Sequence, residues 1–317
     1  MTTRQQPQQS QEVGRFAPST TGPAHPGTLL AALLCWLDAR SLGARVLLRL
    51  EDLDPERSRP EWSRDLLRDL AWLGLDWDEV ASQSGSSADH AEALDRLEAM
   101  DLLYPCACTR SQIASQAQSA PDGGFRYPGT CRERTLGTGG WRSCGEPLRV
   151  RLVDTTIRPP VFFGEELARN PFRDFGDPVV RRRDGVAAYH LACVVDDTRS
   201  GVTRVVRGRD LAFHAATQVA LQQVLELPSP DYAHHLLLLE QPAGRKLGKF
   251  HGAVAIDELR ERYTAAELCG FLAHAAGLQP SEEPVVPGQL VAGFDWGRVT
   301  RSDRVVEWTG ERLRMRA

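Results

Sequence analysis

The stretch GRFAPSTTGPAHPGTLLAALLCWLDARSLGARVLLRLEDLD, residues 14–54, decides the fold. Residues 14–17 are typical of a short strand that ends at Pro18 and enters a turn rich in Ser, Thr, Gly and Pro. The leucines between Leu29 and Leu37 recur with the spacing of a core-facing helix. Residues 46–50 then have the apolar character of a buried parallel strand. The pattern predicts a βαβ unit with an anion-binding loop over the helix N-terminus.

The predicted start of this helix carries His25, Pro26, Gly27 and Thr28. Proline is tolerated at the first helical position, because its missing N–H would be unpaired there anyway. Gly27 has no Cβ, so a flat base or a ribose could lie against the backbone, and His25 could donate to a phosphate oxygen. The loop lacks the GxGxxG and GKS/T patterns of other nucleotide-binding loops. By themselves these residues are equally consistent with a capped surface loop.

The composition is that of an ordinary globular enzyme. A chain of 317 residues is long enough for two compact units, and a net charge of −4 argues against general nucleic-acid coating. No apolar run is long enough to span a bilayer. Residues 1–12 are polar and Gln-rich, which is typical of a disordered tail and not of a signal peptide. We therefore expect a cytoplasmic monomer without a membrane partner.

The remaining chain divides by its composition and periodicity. Gly, Ser, Pro, Arg and Cys dominate after Pro105, where the periodicity of the first segment fades. Strand and helix patterns return after this segment and end in a helical region. The expected units are a Rossmann-like first half at residues 13–104, an inserted module at 105–186, a second half at 187–251 and a helical C-terminal appendix at 252–317.

Lysine is confined to one loop of this chain. Of the 38 basic residues, only Lys246 and Lys249 are lysines, and both lie in GRKLGKF, residues 244–250. A compact ammonium group suits a triphosphate whose charge moves during bond breakage, and a planar guanidinium does not replace it freely. The pattern predicts that these two lysines contact ATP. The alternative is a pair of exposed lysines placed by chance.

The seven cysteines form an odd number, so a disulfide framework is not expected and clustered cysteines indicate a metal site. Cys106, Cys108 and Cys131 could supply three thiolates to a zinc ion that staples a module too small for its own core. Chemistry alone would prefer Cys144 as the fourth ligand. The other cysteines fall on apolar helix faces, which favours burial in the core. They are Cys35, Cys193 and Cys269.

Charged side chains follow both strands of the predicted βαβ unit. Arg15 leaves the first strand and Glu51 follows the second, so both are expected above the carboxyl edge of the sheet, where α/β proteins bind their ligands. Two arginines near such an edge would suit an acidic substrate, since a guanidinium group binds a carboxylate in a bidentate fork. Asp196 and Asp197 resemble a metal pair, but we expect them to be a solvated helix end.

Several of these motifs resemble one enzyme family. RFAPSTTGPAHPGT and RLEDLD are similar to the opening of the glutamyl class I aminoacyl-tRNA synthetases, whose first signature is a His-x-Gly-His-like sequence. KLGK at 246–249 resembles their second signature, with Gly248 in place of a serine. The resemblance covers about residues 13–251. It implies an α/β fold, with a Rossmann-like class I synthetase catalytic domain, an inserted zinc-containing acceptor-binding-like module and a small helical C-terminal appendix.

The resemblance also implies the roles of individual residues. Arg15 and Arg207 would pair with the carboxylates of glutamate, Glu51 with its ammonium group, and Tyr189 would hydrogen-bond to it. The implied glutamate-binding set is Arg15, Phe16, Ala17, Pro18, Ser19, Glu51, Tyr189 and Arg207. The implied catalytic set is His25, Gly27, Lys246 and Lys249, and Thr28 joins these four in binding ATP.

For the module, the shorter relatives of the glutamyl synthetases carry CxC…YxxxC with the tyrosine as a zinc ligand. The implied ligands are Cys106, Cys108, Tyr127 and Cys131, and Cys144 remains the rival of Tyr127. The expected cofactor is one structural Zn²⁺ per chain, while ATP with Mg²⁺ is a substrate.

The segment after Phe250 is too short for the anticodon-binding region of full glutamyl-tRNA synthetases. The chain therefore resembles their truncated paralogues, the glutamyl-Q tRNA(Asp) synthetase family. The implied activity is activation of L-glutamate as the adenylate and its transfer to queuosine in the anticodon of tRNA(Asp), with activation independent of tRNA. The alternatives are a truncated tRNA-dependent glutamyl-tRNA synthetase, a related nucleotidyltransferase, and a non-catalytic zinc-stapled RNA-binding protein.

Overall fold

The structure is a computed structural model that describes residues 11–116, 118–166, 168–240, the backbone of 245–246, and 255–316. The predicted N-terminal tail lies almost entirely outside these ranges. Lys249 and the side chain of Lys246 lie outside them as well. None of the helices in these ranges combines the length and the apolar character needed to cross a membrane.

Helices and strands alternate along most of the chain. The helices are α1 (Pro26–Ser41), α2 (Pro60–Leu73), α3 (Ser87–Ala99), α4 (Arg110–Gln116), α5 (Pro171–Asp174), α6 (Tyr189–Arg199), α7 (Ala215–Val224), α8 (Ile256–Arg262), α9 (Ala265–Ala276) and α10 (Pro287–Val291). The strands are β1 (Val13–Phe16), β2 (Arg45–Leu50), β3 (Glu79–Ser82), β4 (Leu103–Pro105), β5 (Leu148–Val150), β6 (Val161–Phe163), β7 (Val179–Arg181), β8 (Arg204–Gly208), β9 (Asp231–His235), β10 (Leu238–Glu240), β11 (Arg245–Lys246), β12 (Arg304–Trp308) and β13 (Leu313–Arg316).

A six-stranded sheet forms the centre, in the order β3-β2-β1-β8-β9-β6. All of its strand pairs are parallel. The chain winds outward from β1 through β2 and β3, and it later places β8 on the opposite side of β1. In open parallel sheets such a reversal leaves a crevice at the carboxyl ends of the strands, where ligands bind. The predicted Rossmann-like βαβ unit is thus present, and it borders this crevice.

The first helix is buried on nearly all sides. The leucines that predicted it are almost fully excluded from solvent. The helix contacts β1, β2 and β8 of the sheet as well as α9 and α10 from the C-terminal part. A helix that is apolar all round is typical of an element enclosed by others. A second core on α3, α6 and α7 contains residues of the inserted segment.

The C-terminal part differs from the predicted helical appendix. Its helices α8, α9 and α10 are followed by the strands β12 and β13, which pair antiparallel. Strand β12 also pairs parallel with β10, so this region shares a sheet with the second half. The sequence explains this hairpin. Residues 304–308 contain two adjacent valines, which favour a strand, and Gly310 adopts the positive φ of 88° that the turn requires.

The segment 105–186 is also more integrated than predicted. Strands β4, β5 and β7 form a separate three-stranded sheet, but β6 pairs with β9 at the edge of the central sheet. Phe163 of β6 is buried in the core that surrounds α1. The inserted segment therefore contributes one strand, β6, to the central sheet, where its apolar residues cover the otherwise unpaired edge of β9.

Candidate active site

A cavity of about 290 Å³ opens at the crevice between β1 and β8. We call it the first cavity. Its lining contains all the predicted glutamate-binding residues and three of the predicted ATP-binding residues. They are Arg15, Phe16, Ala17, Pro18, Ser19, Glu51, Tyr189 and Arg207, and His25, Gly27 and Thr28. The predicted contributions of Lys246 and Lys249 fall outside the described residues.

Backbone hydrogen bonds hold the loop after β1 beside the end of β2. The amide of Glu51 donates to the carbonyl of Pro18 at 3.0 Å, and the amide of Thr20 donates to the carbonyl of Glu51 at 3.2 Å. Ser19 and Glu51 form a parallel bridge between these bonds. The pairing of the two strands therefore continues past their ends, and this brings the loop and the Glu51 side chain to the same cavity.

The start of α1 forms the next wall of the cavity. Pro26 is the first helical residue, as predicted, and the amide of Thr28 donates to the carbonyl of His25 at 2.8 Å. A Cβ at Gly27 would lie only 3.1 Å from the His25 ring. The glycine thus lets the imidazole stand close to the helix N-terminus, where backbone N–H groups and the helix dipole favour an anion.

Two arginines share one buried carboxylate beneath the cavity. The Nε of Arg15 donates to Oδ1 of Asp197 at 3.1 Å, and Arg49 donates to the same oxygen. Arg49 also lies 3.5 Å from Oε1 of Glu51. Arg15, Arg49 and Asp197 are nearly excluded from solvent, and Glu51 is partly exposed towards the cavity. The expectation that Asp196 and Asp197 form a solvated helix end is therefore wrong, since both face the packed interior.

In this network, burial and the neighbouring charges shift the pKa values in opposite directions. For Arg15, burial lowers the pKa, but Asp197 and the other nearby acids outweigh it, so the pKa is raised. For Asp197, burial raises the pKa, and the two guanidinium groups outweigh it in the opposite direction. For Glu51, burial prevails over the attraction of Arg49 and Arg15, and its pKa is raised. A cation that enters the cavity would therefore favour the ionised form of Glu51.

Helix α6 supplies three groups from a single face. Tyr189 lines the first cavity, and the thiol of Cys193 donates to Oε1 of Glu51 at 3.6 Å. Asp197 follows after one further turn. Residues four apart lie on one helix face, so the spacing of these three was a usable signal once Tyr189 had been chosen. The prediction that Cys193 is buried is confirmed, as it is for Cys35 and Cys269, but Cys193 also contacts a site residue.

Arg207 is held by neutral partners that the sequence did not reveal. Its Nε donates to Nε2 of His234 at 3.3 Å, and its Nη1 donates to Oε1 of Gln218 at 2.7 Å. Burial, with Arg207 beside it, lowers the pKa of His234 to about 3, so this ring accepts as a neutral imidazole. The Nη2 of Arg207 is buried and finds no hydrogen-bond partner among the described residues. The two N–H groups of this Nη2 thus remain available in the cavity lining.

A second cluster lies in the inserted segment. The Sγ atoms of Cys106, Cys108 and Cys131 lie within 4.8 Å of one another, so they could hold a metal ion. The hydroxyl of Tyr127 lies 3.5 Å from Sγ of Cys106 and accepts from the amide of Cys131 at 2.8 Å. Cys144 packs against the core of α3 and α6 instead, and its thiol faces the carbonyl of Glu146 at 3.7 Å. All seven cysteines lie in the described part of the chain, and each has a free thiol.

Comparison with known proteins agrees with this architecture. The family described as tRNA synthetases class I (E and Q), catalytic domain, matches residues 12–275. The chain belongs to this family.

Among relatives of this class I synthetase is the glutamyl-Q tRNA(Asp) synthetase of Symbiobacterium thermophilum, which is 42% identical over 91% of this chain and 94% of its own. The protein of the same name from Thiobacillus denitrificans is 43% identical over 85% of this chain and 90% of its own. A solved glutamate tRNA ligase from Elizabethkingia meningosepticum superposes with a TM-score of 0.77 at 22% identity, covering 93% of this chain and 67% of the other. That likeness shows the fold alone.

Removal of the shared carboxylate tests the buried network of this synthetase. Replacement Asp197→Asn leaves Arg15 and Arg49 close together without their common anion, so we expect the free energy of unfolding to fall by about 3–5 kcal/mol. Urea unfolding followed by circular dichroism measures the change.

The matched control is Asp196→Asn on the same turn. Asp196 accepts from Nε2 of Gln83 at 2.8 Å and lies 2.9 Å from Nε2 of His90, and an amide oxygen can keep one such bond. A loss of about 1 kcal/mol is expected there. Equal losses in the two variants would contradict a special role for Asp197.

Proposed function

We propose that this chain activates L-glutamate with ATP as glutamyl-adenylate and transfers the glutamyl group to queuosine in the anticodon of tRNA(Asp). The observation that carries the proposal is the first cavity, where Arg15, Glu51, Tyr189 and Arg207 meet beside the N-terminus of α1. The names of the relatives, which match most of this chain, support the same activity.

The charges around the cavity suit a free amino acid with an acidic side chain. The unengaged Nη2 of Arg207 and the guanidinium group of Arg15 bind the two carboxylates of glutamate. Glu51, whose side chain is 15% exposed, accepts from the ammonium group. Tyr189 adds a hydroxyl from the start of α6. Each polar end of the substrate thus has a partner of opposite charge or hydrogen-bonding character.

Activation follows from positioning and charge stabilisation. A carboxylate oxygen of glutamate attacks the α-phosphorus of ATP in line, and pyrophosphate leaves. The N-terminus of α1 with His25, Gly27 and Thr28 holds phosphate oxygens, while Lys246, Lys249 and Mg²⁺ neutralise the leaving group. No general acid or base is needed for this step. A hydroxyl of the queuosine ring then attacks the carbonyl carbon of the mixed anhydride, and AMP leaves.

We also propose that the cysteine cluster holds one structural Zn²⁺ through Cys106, Cys108, Tyr127 and Cys131. Four ligands at usual zinc distances lie about 3.8 Å apart in a tetrahedron, and the separations among the three thiols and the phenol are compatible with this. The donor set is mainly sulfur, which zinc accepts readily. The ion would tie β4 to the loop that carries Tyr127 and Cys131.

The transfer activity is tested with labelled glutamate, ATP and bulk tRNA prepared with and without queuosine. We expect label on the queuosine-containing pool alone, because the proposed acceptor is a hydroxyl of that base. Label on both pools would identify an ordinary glutamyl-tRNA synthetase activity. Label on neither would favour a binding protein.

The control for this assay is the double variant Lys246→Ala and Lys249→Ala. It should lose adenylate formation, measured by ATP–pyrophosphate exchange, while it retains binding of the tRNA.

The role of Glu51 predicts a pH dependence of glutamate binding. Burial raises the pKa of Glu51 above its usual value, and a bound ammonium group favours the ionised form. Affinity is therefore full above this raised pKa and falls as the pH decreases through it. Calorimetric titration with glutamate between pH 5 and 8 measures the trend.

The isosteric variant Glu51→Gln serves as the comparison for this trend. It should bind glutamate roughly ten- to a hundredfold more weakly and lose the dependence on pH, since its amide does not titrate. An unchanged pH profile in this variant would assign the titration to another group.

The zinc proposal is tested by the metal content of the purified protein. One zinc per chain is expected in the parent, and Tyr127→Phe should lower the affinity because the ring stays while the ligand oxygen is lost. Tyr104→Phe, in the same small core, is the matched control and should keep the metal. Zinc that survives Tyr127→Phe but is lost in Cys144→Ser would instead support four cysteine ligands.

A further inference from the structure

A second cavity of about 340 Å³ lies against the first one. It lies between the loop of residues 175–179 and the first turns of α6 and α7. Tyr189 lines both cavities, so the two meet at its side chain. The volume falls within the range of about 300–1,000 Å³ that is usual for small-molecule sites. The proposed zinc ligand Tyr127 also lines it, but no part of a substrate has been assigned to this second cavity above.

Aromatic rings connect the two cavities. The ring centroids of Tyr189 and His190 lie 5.2 Å apart, and those of His190 and His214 are also 5.2 Å apart. Phe175 continues the series at 5.6 Å from His214. Unpaired RNA bases are recognised by stacking on such side chains and by hydrogen bonds to their edges. The rings are tilted or edge-on to one another, so the wall of the second cavity offers both aromatic faces and aromatic edges to a planar ring.

The charged groups in this wall are already engaged. The carboxylate of Asp177 accepts from the hydroxyl of Tyr104 and the amide of Leu152, both at 2.8 Å, and it pairs with Arg132. Asp177 is thus paired within the protein. Arg149 donates to Sγ of Cys106 at 3.3 Å. It also donates to the backbone carbonyl of Asp177 and lies over the ring of Tyr127, so much of its hydrogen-bonding capacity is used inside the wall.

His190 supplies the hydrogen-bonding capacity that remains. Burial lowers its pKa to about 3, and His214 and Arg207 act in the same direction, so the imidazole is neutral. Its Nδ1 is buried and has no hydrogen-bond partner among the described residues. A neutral imidazole offers one donor and one acceptor, which matches the edge of an uncharged heterocycle.

We infer that the second cavity binds the planar base of the nucleotide that accepts glutamate. The base stacks along the rings of Phe175 and His214 and hydrogen-bonds to His190. The hydroxyl-bearing ring attached to the base then reaches past Tyr189 into the first cavity. This inference rests on the proposed function, because it names the acceptor subsite of that reaction.

The test separates activation from transfer in three variants. Phe175→Leu keeps an apolar side chain but removes the ring, and His190→Ala removes the hydrogen-bonding edge. Both should lower kcat/KM for transfer to queuosine-containing tRNA roughly tenfold, which is about 1.4 kcal/mol. ATP–pyrophosphate exchange with glutamate should stay within about twofold of the parent. His190→Gln, which retains a donor and an acceptor, should recover part of the transfer.

Phe294→Leu is the matched control, because Phe294 is a half-buried ring that packs on Trp296 in the C-terminal part. The inference would be wrong if Phe175→Leu and His190→Ala kept the same kcat/KM for transfer as this control. Exchange and transfer falling in parallel would overturn it as well, since the cavity would then serve activation or folding. A parent protein that transfers no glutamate to queuosine would overturn the proposed function, and the inference with it.

Discussion

The buried carboxylate of Asp197 is the constraint on which the arrangement of the first cavity depends. It lies between two guanidinium groups that would otherwise repel each other in a medium of low dielectric. Arg15 comes from β1, Arg49 from β2 and Asp197 from α6, so one ionic contact fixes the relative positions of three elements. A deviation in the packing of α6 would leave a charge unpaired in the interior. The free energy needed to break this network therefore keeps β1, β2 and α6 in their relative positions.

In the part of the chain that the structure describes, one buried group in the lining of the first cavity is left without a partner. Arg15 and Arg207 lie there with the carboxylates of Glu51 and Asp210, so the charges of these four side chains balance when both acids are ionised. The contacts of Arg207 with His234 and Gln218 are neutral, and its Nη2 has no hydrogen-bond partner among the described residues. A carboxylate of the proposed substrate would supply that partner, and its ammonium group would balance the added charge.

The parts of the structure that could be predicted from the sequence are those set by residues close together along the chain. The βαβ unit was predictable, since strand, turn and buried helix each have a local pattern, and the resemblance to a known family selected the residues that line the first cavity. The partner of Arg15 was missed. The spacing from Tyr189 places Asp197 on the same helix face, but nothing in the pair Asp196-Asp197 shows that α6 turns both carboxylates inward. His234 and Gln218 were missed for the same reason, as their roles arise only when β9 and α7 pack beside β8. The strands β12 and β13 were missed although the Val-Val pair of β12 and the turn residue Gly310 were visible in the sequence.

Helix α6 links the two cavities through its own geometry. Asp197 anchors its last turns to the arginines below the sheet edge, while Tyr189 and His190 begin it at the boundary between the cavities. A helix is stiff over this length, so the ion pairs at one end limit the movement of the rings at the other. In the proposed reaction, the position of the acceptor ring relative to glutamate would then be set by the same buried charges that hold Arg15. Binding of the amino acid and orientation of the acceptor would thus both depend on the packing of α6.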